Sequence, residues 1–311
     1  MAEEIQVAMA TDRNYLDYAL VAAASLLAQH PGGGITLHLL HEELGENDFA
    51  RFDALRRIGG FRLAPLKIER GFFQGWPELR WSTSAYYRLI LPSLLPELEK
   101  ILYLDCDLLV LDDIAELWET GLDGRSCAAA AVRVAPEHQK KIGLPAEAVY
   151  FNSGVMLFNL RKMARENHEK RFIRLFDELG GRIKYPDQDI LNLAYWNDYV
   201  KLSQRWNLVT SVYRNPPTPA LYSEAEVVEA LRRPGIAHFT GTHKPWRLGK
   251  TTHHPYARYF RAYAELAGLP LPFRLKLALK SLLTGSLKPP KKAVPWDGSI
   301  LNTGIAIRRA T

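Results

Sequence analysis

Residues 100–107 read Lys-Ile-Leu-Tyr-Leu-Asp-Cys-Asp, a short apolar run that ends in two aspartates separated by one residue. The run is typical of a buried strand, and side chains two positions apart in an extended chain lie on the same side. Asp105 and Asp107 are therefore expected at one edge of a sheet, with Cys106 pointing the other way. Two carboxylates held so close repel each other unless a cation lies between them, which favours a hard divalent metal such as Mn²⁺ or Mg²⁺. The alternative is a solvated surface turn, where an Asp-x-Asp sequence is common.

Similar apolar runs recur along the chain and alternate with helical patterns. The predicted strands are 5–10, 35–40, 100–104, 127–132 and 155–158, and the predicted helices are 16–27 and 47–58. The repeated strand–helix order indicates an α/β fold whose mainly parallel sheet is covered by helices on both faces. Ligands of such folds bind beyond the carboxyl ends of the strands. Asp12 and Asn14, which follow the first strand, are therefore candidates for a functional site together with Asp105 and Asp107.

A second candidate segment is His238-Phe-Thr-Gly-Thr-His-Lys-Pro-Trp246, which follows a short apolar run. An imidazole can complete an oxygen-rich metal site, a glycine lets backbone N–H groups approach a phosphate, and a lysine supplies positive charge for it. These roles would fall to His238, Gly241 and Lys244. The alternative is a core histidine followed by an ordinary Lys-Pro turn.

Six short segments are more informative together than any one of them alone. They are Ala10-Thr-Asp-Arg-Asn-Tyr15, Thr83-Ser-Ala-Tyr-Tyr-Arg88, Leu102-Tyr-Leu-Asp-Cys-Asp107, Tyr150-Phe-Asn-Ser-Gly-Val155, Tyr185-Pro-Asp-Gln-Asp-Ile-Leu-Asn192 and His238-Phe-Thr-Gly-Thr-His-Lys-Pro-Trp246. In this order, from about Val7 to Trp246, the chain resembles glycosyltransferase family 8, in particular the bacterial lipopolysaccharide α-galactosyl- and glucosyltransferases. The resemblance implies a GT-A fold, a Rossmann-like mixed sheet flanked by helices that binds a nucleotide sugar, and a retaining mechanism.

The resemblance also implies which residues bind the nucleotide and the metal. Asp12 and Asn14 would hold the uridine of UDP-galactose or UDP-glucose. Asp105, Asp107 and His238 would ligate Mn²⁺, with Mg²⁺ as the other option, and Asp105 would also lie near the ribose. Asp12 and Asn14 have an ordinary alternative as caps of the following helix.

The remaining matches concern the diphosphate and the transferred sugar. Gly241 and Lys244 would contact the diphosphate. The positions that match contacts to hydroxyls of the donor sugar are Arg88, Asn152 and Asp187. Gln188 would lie nearest the anomeric carbon, on the face opposite the leaving group. Each of three residues also has a structural alternative. Arg88 could be a surface residue of a helix, Asn152 could lie in a turn before a strand, and Asp187 could cap the helix that contains Leu191.

Retention of configuration needs either a nucleophile behind the sugar or attack from the side of the leaving group. An amide is a poor nucleophile, so Gln188 favours same-face attack, in which a departing phosphate oxygen takes the proton of the acceptor. Asp187 or Asp189 would be a better nucleophile if its geometry allowed. One departure concerns the acceptor: Arg133 stands near a position where galactosyltransferases of the family carry an aspartate. Its fork would match an acidic or phosphorylated acceptor sugar, and the alternative is a solvated side chain.

Charge is unevenly distributed along the 311 residues. From residue 268 onward, eight Lys and Arg stand against one Asp, a net charge of +7, so the rest of the chain carries −1 of the total of +6. A body with almost no net charge argues against a nucleic-acid-binding protein. The change in charge also divides the chain into a predicted catalytic domain, 1–266, and a basic C-terminal tail, 267–311. Residues 273–283 fit a basic amphipathic helix that could attach peripherally to an anionic membrane, although their alternation also fits a strand. The alternative for the helix is packing on the body with exposed lysines.

The location and the acceptor follow from weaker signals. Cys106 and Cys127 match neither a disulfide framework nor a zinc site, and the chain shows neither a secretory signal nor a long apolar span. We therefore expect a cytoplasmic protein, peripheral on the inner face of the membrane, with a saccharide or lipid-linked saccharide as acceptor. Two other functions compete with a hexosyltransferase of cell-envelope glycan synthesis: a non-catalytic nucleotide-sugar or glycan-binding protein, and a metal-dependent phosphohydrolase with Asp105 as nucleophile.

Overall fold

The computed structural model describes residues 4–69, 71–73, 76, 83–214, 221–241, 244–246 and 255–283. The strands in these ranges are β1 Ile5–Ala10, β2 Ile35–His41, β3 Phe61–Lys67, β4 Lys100–Leu104, β5 Leu108–Val110, β6 Cys127–Ala131, β7 Phe151–Asn159, β8 Tyr199–Lys201, β9 Leu208–Val209 and β10 Ile236–His238. The helices are α1 Leu16–Gln29, α2 Glu46–Asp53, α3 Leu91–Leu94, α4 Ala115–Trp118, α5 Pro136–Ile142, α6 Leu160–Arg165, α7 His168–Leu179, α8 Pro186–Tyr195, α9 Thr210–Arg214, α10 Glu224–Arg232, α11 Ala257–Leu266 and α12 Leu271–Leu283. Short 3₁₀ helices lie at Ala54–Arg57, Thr83–Ile90, Gly180–Arg182 and Gln204–Asn207.

The main sheet has seven strands within the described ranges, in the order β3-β2-β1-β4-β7-β6-β8. Six of them run in the same direction, and β7 runs antiparallel to both of its neighbours, β4 and β6. A smaller sheet, β5-β10-β9, continues from the end of β4. The predicted α/β fold with a mainly parallel sheet is therefore confirmed.

Helices cover both faces of the main sheet, so its central strands are apolar on both sides. All six residues of β1 are buried. On one face, Val7 and Met9 pack in a core that includes Leu20 of α1 and Phe260 of α11. On the other face, Ala8 and Ala10 belong to a second core, built largely on α7 and α8.

The predicted elements are found close to their predicted bounds, with one subdivision and one exception: the strand predicted over 155–158 is β7, which begins at Phe151, so residues 152–154 lie in the strand and not in a turn. The helix predicted over 47–58 consists of α2 followed by the 3₁₀ helix Ala54–Arg57. Gly59 and Gly60 then bring the chain to β3. A Cβ at Gly59 would lie 2.9 Å from the Leu27 carbonyl oxygen, which explains a glycine at this close approach to α1.

The C-terminal described segment is a helix, so the strand alternative for 273–279 is wrong. One side of α12 packs on the body: Leu277 is buried in the first core, and the Phe273 ring lies 5.9 Å from the ring of Tyr18. Tyr18 in turn stacks on Trp246 at 4.2 Å. Leu271, Leu275 and Leu279 share another side and are 57%, 58% and 50% exposed. Residues 284–311, which contain most of the basic residues of the predicted tail, lie outside the described ranges.

Within the described ranges, no helix combines the length and the apolar character that a membrane span requires.

One glycine controls how β10 packs. A Cβ at Gly235 would lie 2.5 Å from the Trp206 ring, while the Gly235 backbone bonds to Arg205 and Leu111. We expect Gly235→Ala to lower the free energy of unfolding by about 1–3 kcal/mol, because neither ring nor backbone can move without losing contacts. Gly60→Ala is the matched control, since its Cβ would meet nothing within 4 Å. Denaturant unfolding of both variants gives the measurement, and equal stabilities would contradict the prediction.

Candidate active site

Asp105 and Asp107 lie in the turn between β4 and β5. Backbone bonds fix this turn: Asp105 N donates to Gly154 O at 2.8 Å, and Phe239 N donates to Asp107 O at 2.9 Å. Cys106, between them, points into the core and donates its thiol to the Ala10 carbonyl at 3.1 Å. The two carboxylates therefore lie on one side, as the alternation predicts.

His238 reaches the same place from the other sheet. It ends β10, which pairs antiparallel with β5 so that His238 is opposite Leu108. Its Nε2 lies 3.0 Å from Asp107 Oδ1 and 3.5 Å from Asp105 Oδ2. One ligand atom of each of the three side chains lies within 4.8 Å of the other two.

These three side chains fit a divalent cation. A hard octahedral cation holds ligand atoms at about 2.1 Å, so adjacent ligand atoms are about 3 Å apart. The distances from His238 Nε2 to both carboxylates are of this size. Asn207 Oδ1 lies 2.9 Å from His238 Nδ1, and because an amide oxygen only accepts, this contact would hold the proton on Nδ1 when a metal binds at Nε2. Two carboxylates and an imidazole suit Mn²⁺ or Mg²⁺.

Lys244 is the cation next to this group. Its buried ammonium forms an ion pair with Asp107 Oδ2, while Asp107 Oδ1 faces His238. Burial by itself would raise the pKa of Asp107, but the charge of Lys244 and the contact with His238 outweigh it and hold that pKa well below its usual value. Gly241, three residues earlier, has φ +72°, the left-handed conformation that glycine adopts readily.

Arg88 connects Asp105 to Asp187. Its Nη2 donates to Asp105 Oδ1 at 2.8 Å and its Nε lies 3.2 Å from Asp187 Oδ2. Burial alone would lower the pKa of Arg88, but the two carboxylates raise it, so the guanidinium stays charged. Burial raises the pKa of Asp187, with Arg88 and Ser153 opposing it. Asp187 Oδ2 is buried and accepts no hydrogen bond, since Arg88 Nε donates to the Ala85 carbonyl instead.

Gln188 and Asn152 form the third part of the site. Gln188, in the first turn of α8, accepts at Oε1 from Asn152 Nδ2 at 2.7 Å and from Ser153 N at 3.2 Å. Asn152 Oδ1 accepts from Asn207 Nδ2 at 2.8 Å, and Asn207 holds His238. An unbroken series of hydrogen bonds therefore connects Gln188 with His238. We call Asp105, Asp107 and His238 together the metal group.

Asp12 lies beyond the end of β1, next to the turn that holds Asp105. Its Oδ1 accepts from Tyr15 N at 2.9 Å, which makes it a local cap at the entrance to α1. Asn14 is exposed in the same loop. Capping by one carboxylate oxygen leaves the second oxygen of Asp12 for a ligand.

Comparison with known sequences decides the family. The sequence model of glycosyl transferase family 8 matches residues 6–249. This protein belongs to that family. Among solved structures, the galactosyltransferase LgtC in complex with donor and acceptor sugar analogs is 29% identical at a TM-score of 0.76, over 88% of this chain and 100% of that one. The GT-A fold predicted for this family 8 glycosyltransferase is thereby confirmed.

Two curated relatives match over different lengths. General stress protein A of Bacillus subtilis is 33% identical over 180 residues, which cover 56% of this chain and 62% of that protein. Lipopolysaccharide 1,2-glucosyltransferase of Escherichia coli K12 is 26% identical over 272 residues, which cover 85% of this chain and 78% of that protein. The family 8 chain thus spans less than two thirds of the first relative and over three quarters of the second.

The geometry brings most of the sequence-predicted residues of this family 8 protein into direct contact. Those joined by contacts of their own side chains are Arg88, Asp105, Asp107, Asn152, Asp187, Gln188, His238 and Lys244. Asp12 and Asn14 lie at the same strand ends, and Gly241 lies in the loop that carries Lys244. Arg133 is exposed just after β6, next to Val132, whose backbone N donates to Tyr150 O at 2.8 Å. The roles of all these residues toward a ligand stay predictions.

Sequence reasoning missed several members of the network. Asn207 orients His238, Tyr150 bonds to Gln188, and Asn192 bonds to both backbone groups of Phe151. From the sequence, Asp189 is a candidate only as a nucleophile, whereas the structure places it in a hydrogen bond with Tyr150. Tyr150, Asp189 and Asn192 lie within the quoted segments of the resemblance, which is the signal that could have found them. Asn207 lies outside every quoted segment.

Gly154 allows the metal group of this family 8 protein to form. A Cβ at this position would lie 2.5 Å from Asp105 Oδ2 and would overlap the His238 ring. We expect Gly154→Ala to weaken Mn²⁺ binding in the presence of UDP by about 10- to 100-fold, because the methyl group separates two ligands. Titration calorimetry measures the affinity.

The control for this substitution is again Gly60→Ala, which adds the same methyl group in open space. Unchanged Mn²⁺ affinity in a folded Gly154→Ala protein would contradict the assignment of Asp105 and His238 as ligands.

Proposed function

We propose that the protein is a retaining hexosyltransferase that moves galactose or glucose from a UDP-sugar to a saccharide acceptor, in the synthesis of lipopolysaccharide or another cell-envelope glycan. The observation that carries this proposal is the group Asp105, Asp107 and His238 with the Lys244 ammonium beside it. A diphosphate needs positive charge when its bond to the sugar breaks, and this corner of the fold can supply it from a metal and a lysine. The names of the relatives support the substrate class.

The three side chains of the metal group would hold Mn²⁺ or Mg²⁺, which when bound supplies charge to stabilise the leaving diphosphate. Lys244 adds a second positive charge on the same side. The positive φ of Gly241 turns the backbone of the loop that carries Lys244, so that N–H groups can approach phosphate. Asp12 and Asn14, at the strand ends, would bind the uridine.

Arg88, Asn152 and Asp187 would bind hydroxyls of the donor sugar. Asp187 Oδ2 supports this role, because it is buried and ion-paired with Arg88 but accepts no hydrogen bond, and a sugar hydroxyl could donate one. Arg88 keeps its charge between two carboxylates and can hold both in place while donating to a ligand.

The hydrogen bonds of the aspartates favour same-face attack over a covalent intermediate. Asp189 is fully buried and accepts four hydrogen bonds, from Tyr150, His138 and the backbone of Lys184 and Tyr185. Asp187 is held against Arg88. A carboxylate so restrained is a poor nucleophile, because attack would require it to leave these partners. Gln188 would instead present its amide beside the cationic sugar, while a phosphate oxygen takes the proton of the acceptor.

The first test is UDP release from a panel of UDP-sugars with Mn²⁺ and with EDTA. We expect release from UDP-galactose or UDP-glucose, stopped by EDTA and reduced at least about 100-fold in Asp107→Asn, which keeps the shape but loses a charged ligand. Asp53→Asn is the control, because that carboxylate is exposed and pairs with Arg56 on the surface. Tight UDP binding without release, with or without saccharide acceptors, would favour the non-catalytic binding protein over an enzyme.

We also propose that the basic tail, 267–311, attaches the catalytic domain, 1–266, to an anionic membrane. Leu271, Leu275 and Leu279 recur every four residues on one side of α12 and are at least half exposed, which is the form of an interfacial helix. The excess positive charge of the tail sequence would add attraction to anionic lipids. Such attachment fits a cytoplasmic protein that is peripheral on the inner face of the membrane and acts on a lipid-linked acceptor.

Vesicle binding tests the tail. We expect the full chain to bind vesicles of phosphatidylglycerol more tightly than vesicles of phosphatidylcholine, with binding weakened by salt. Changing Leu271, Leu275 and Leu279 together to Gln should reduce binding at least about tenfold, because each leucine adds apolar area to the contact. Ile173→Gln is the control, since Ile173 is an exposed apolar residue on α7. Binding that survives the triple change would contradict the role of α12.

A further inference from the structure

Behind Gln188, on the side away from the metal group, lies a buried series of hydrogen bonds. Gln188 Nε2 donates to the Tyr150 hydroxyl oxygen at 3.1 Å. The Tyr150 hydroxyl donates to Asp189 Oδ1 at 2.6 Å, and His138 Nε2 lies 2.8 Å from the same oxygen. Tyr150 and Asp189 are 2% and 0% exposed, so these bonds are shielded from bulk solvent.

The direction of each bond in this series is set by Asp189. Its Oδ2 accepts from the backbone N–H groups of Lys184 and Tyr185, at 2.9 and 3.0 Å, so its Oδ1 faces Tyr150 and His138. An ionised carboxylate only accepts, so the Tyr150 hydroxyl must donate to it. Burial, and after it the charge of Asp189, raises the pKa of Tyr150 well above its usual value, which keeps the phenol protonated.

The same logic fixes Gln188. Because the only hydrogen of the Tyr150 hydroxyl goes to Asp189, its oxygen can only accept from Gln188. The NH₂ end of the carboxamide must therefore face Tyr150, and the oxygen must face Asn152 and Ser153. At that end, Ser153 N–H and Asn152 Nδ2 donate to the oxygen.

We infer that Tyr150 and Asp189 are positioning residues that fix which end of the Gln188 carboxamide faces the reacting sugar. The inference rests on the proposed function, in which Gln188 lies beside the anomeric carbon. The oxygen end carries partial negative charge and stabilises a sugar that becomes positive as the phosphate leaves, whereas the NH₂ end would oppose that charge. The Gln188 carboxamide can assist the reaction in only one of its two orientations. Asp189 selects that orientation through its hydrogen bond with Tyr150.

Asp189→Asn should reverse the donor and acceptor roles along this series of hydrogen bonds. The backbone N–H groups of Lys184 and Tyr185 keep the asparagine oxygen where Oδ2 lies, so the new NH₂ replaces Oδ1 and donates to Tyr150. The Tyr150 hydroxyl then turns its hydrogen toward Gln188, and the carboxamide rotates to accept it. The NH₂ of Gln188 would now face the sugar, together with the donors of Asn152 and Ser153.

Removing the Tyr150 hydroxyl separates Gln188 from the residue at position 189. In Tyr150→Phe, nothing imposes the wrong orientation, and Ser153 N–H and Asn152 still favour the correct one. We therefore expect kcat for UDP release to fall by less than about 10-fold in Tyr150→Phe and by about 10- to 100-fold in Asp189→Asn, with KM for the UDP-sugar within about threefold. The double variant should recover to the level of Tyr150→Phe alone.

This recovery separates a positioning role from the alternatives. If Asp189 were a nucleophile or only stabilised the fold, the two losses would multiply, and a double variant slower than Asp189→Asn would overturn the inference. Wild-type kcat in Asp189→Asn would overturn it as well. Melting temperature and UDP affinity with Mn²⁺ establish that each variant is folded.

Two further variants complete the design. Tyr199→Phe is the matched control, because its hydroxyl donates to the Val149 carbonyl at 3.2 Å, just before β7, and not to Gln188. In a Gln188→Ala background, Tyr150→Phe should have no further effect on kcat. If Gln188→Ala itself keeps wild-type kcat, the proposed role of Gln188 fails. If Gln188→Ala is slow while Asp189→Asn is not, only the inference of the positioning role fails.

Discussion

The site depends on keeping two neighbouring carboxylates charged inside the protein. Asp105 and Asp107 are separated by one residue, both approach the His238 imidazole, and each has a separate cation. Arg88 compensates Asp105 and Lys244 compensates Asp107. Ion pairs of this kind cost desolvation, so they persist only where the geometry is good and the remaining polar atoms are bonded. The rest of the site is arranged around that requirement, since the turn after β4 supplies both carboxylates, the Gly241 loop supplies Lys244 and the 3₁₀ helix Thr83–Ile90 supplies Arg88.

The sheet topology explains how these groups meet. The antiparallel strand β7 runs beside β4, so Gly154 near its start lies next to Asp105 at the end of β4. β5 then leaves the main sheet and pairs with β10, which brings His238 back over the same turn. Side chains from positions more than 130 residues apart are thus joined by two strand pairings, and the absence of a side chain at Gly154 leaves room for them.

The sequence predicts the parallel strands and the residues beyond their ends because both are local signals. An apolar run of five or six residues identifies β1 and β4, and the polar residues that follow are then expected at one edge. The direction of β7 is not a local signal, because nothing in residues 151–159 distinguishes an antiparallel from a parallel central strand. Asn207 could not be found for a related reason: an asparagine near the end of a short helical turn is ordinary, and its value lies in contacts with Asn152 and His238, which are distant in sequence. For residues 273–279, the apolar residues fit both the two-residue period of a strand and one side of a helix. Only the packing of Leu277 and Phe273 on the body decides for a helix.

That packing connects α12 to the loop that carries Lys244. Phe273 touches Tyr18, Tyr18 stacks on Trp246, and Trp246 is two residues from Lys244. Leu271, Leu275 and Leu279 are exposed, so substitutions at these positions would leave the rings in place. Changes at 273 or 277 instead alter the support of the loop that carries the lysine. The outer side of the helix can therefore be altered without disturbing the Lys244 loop, whereas its inner side is part of the support of that loop.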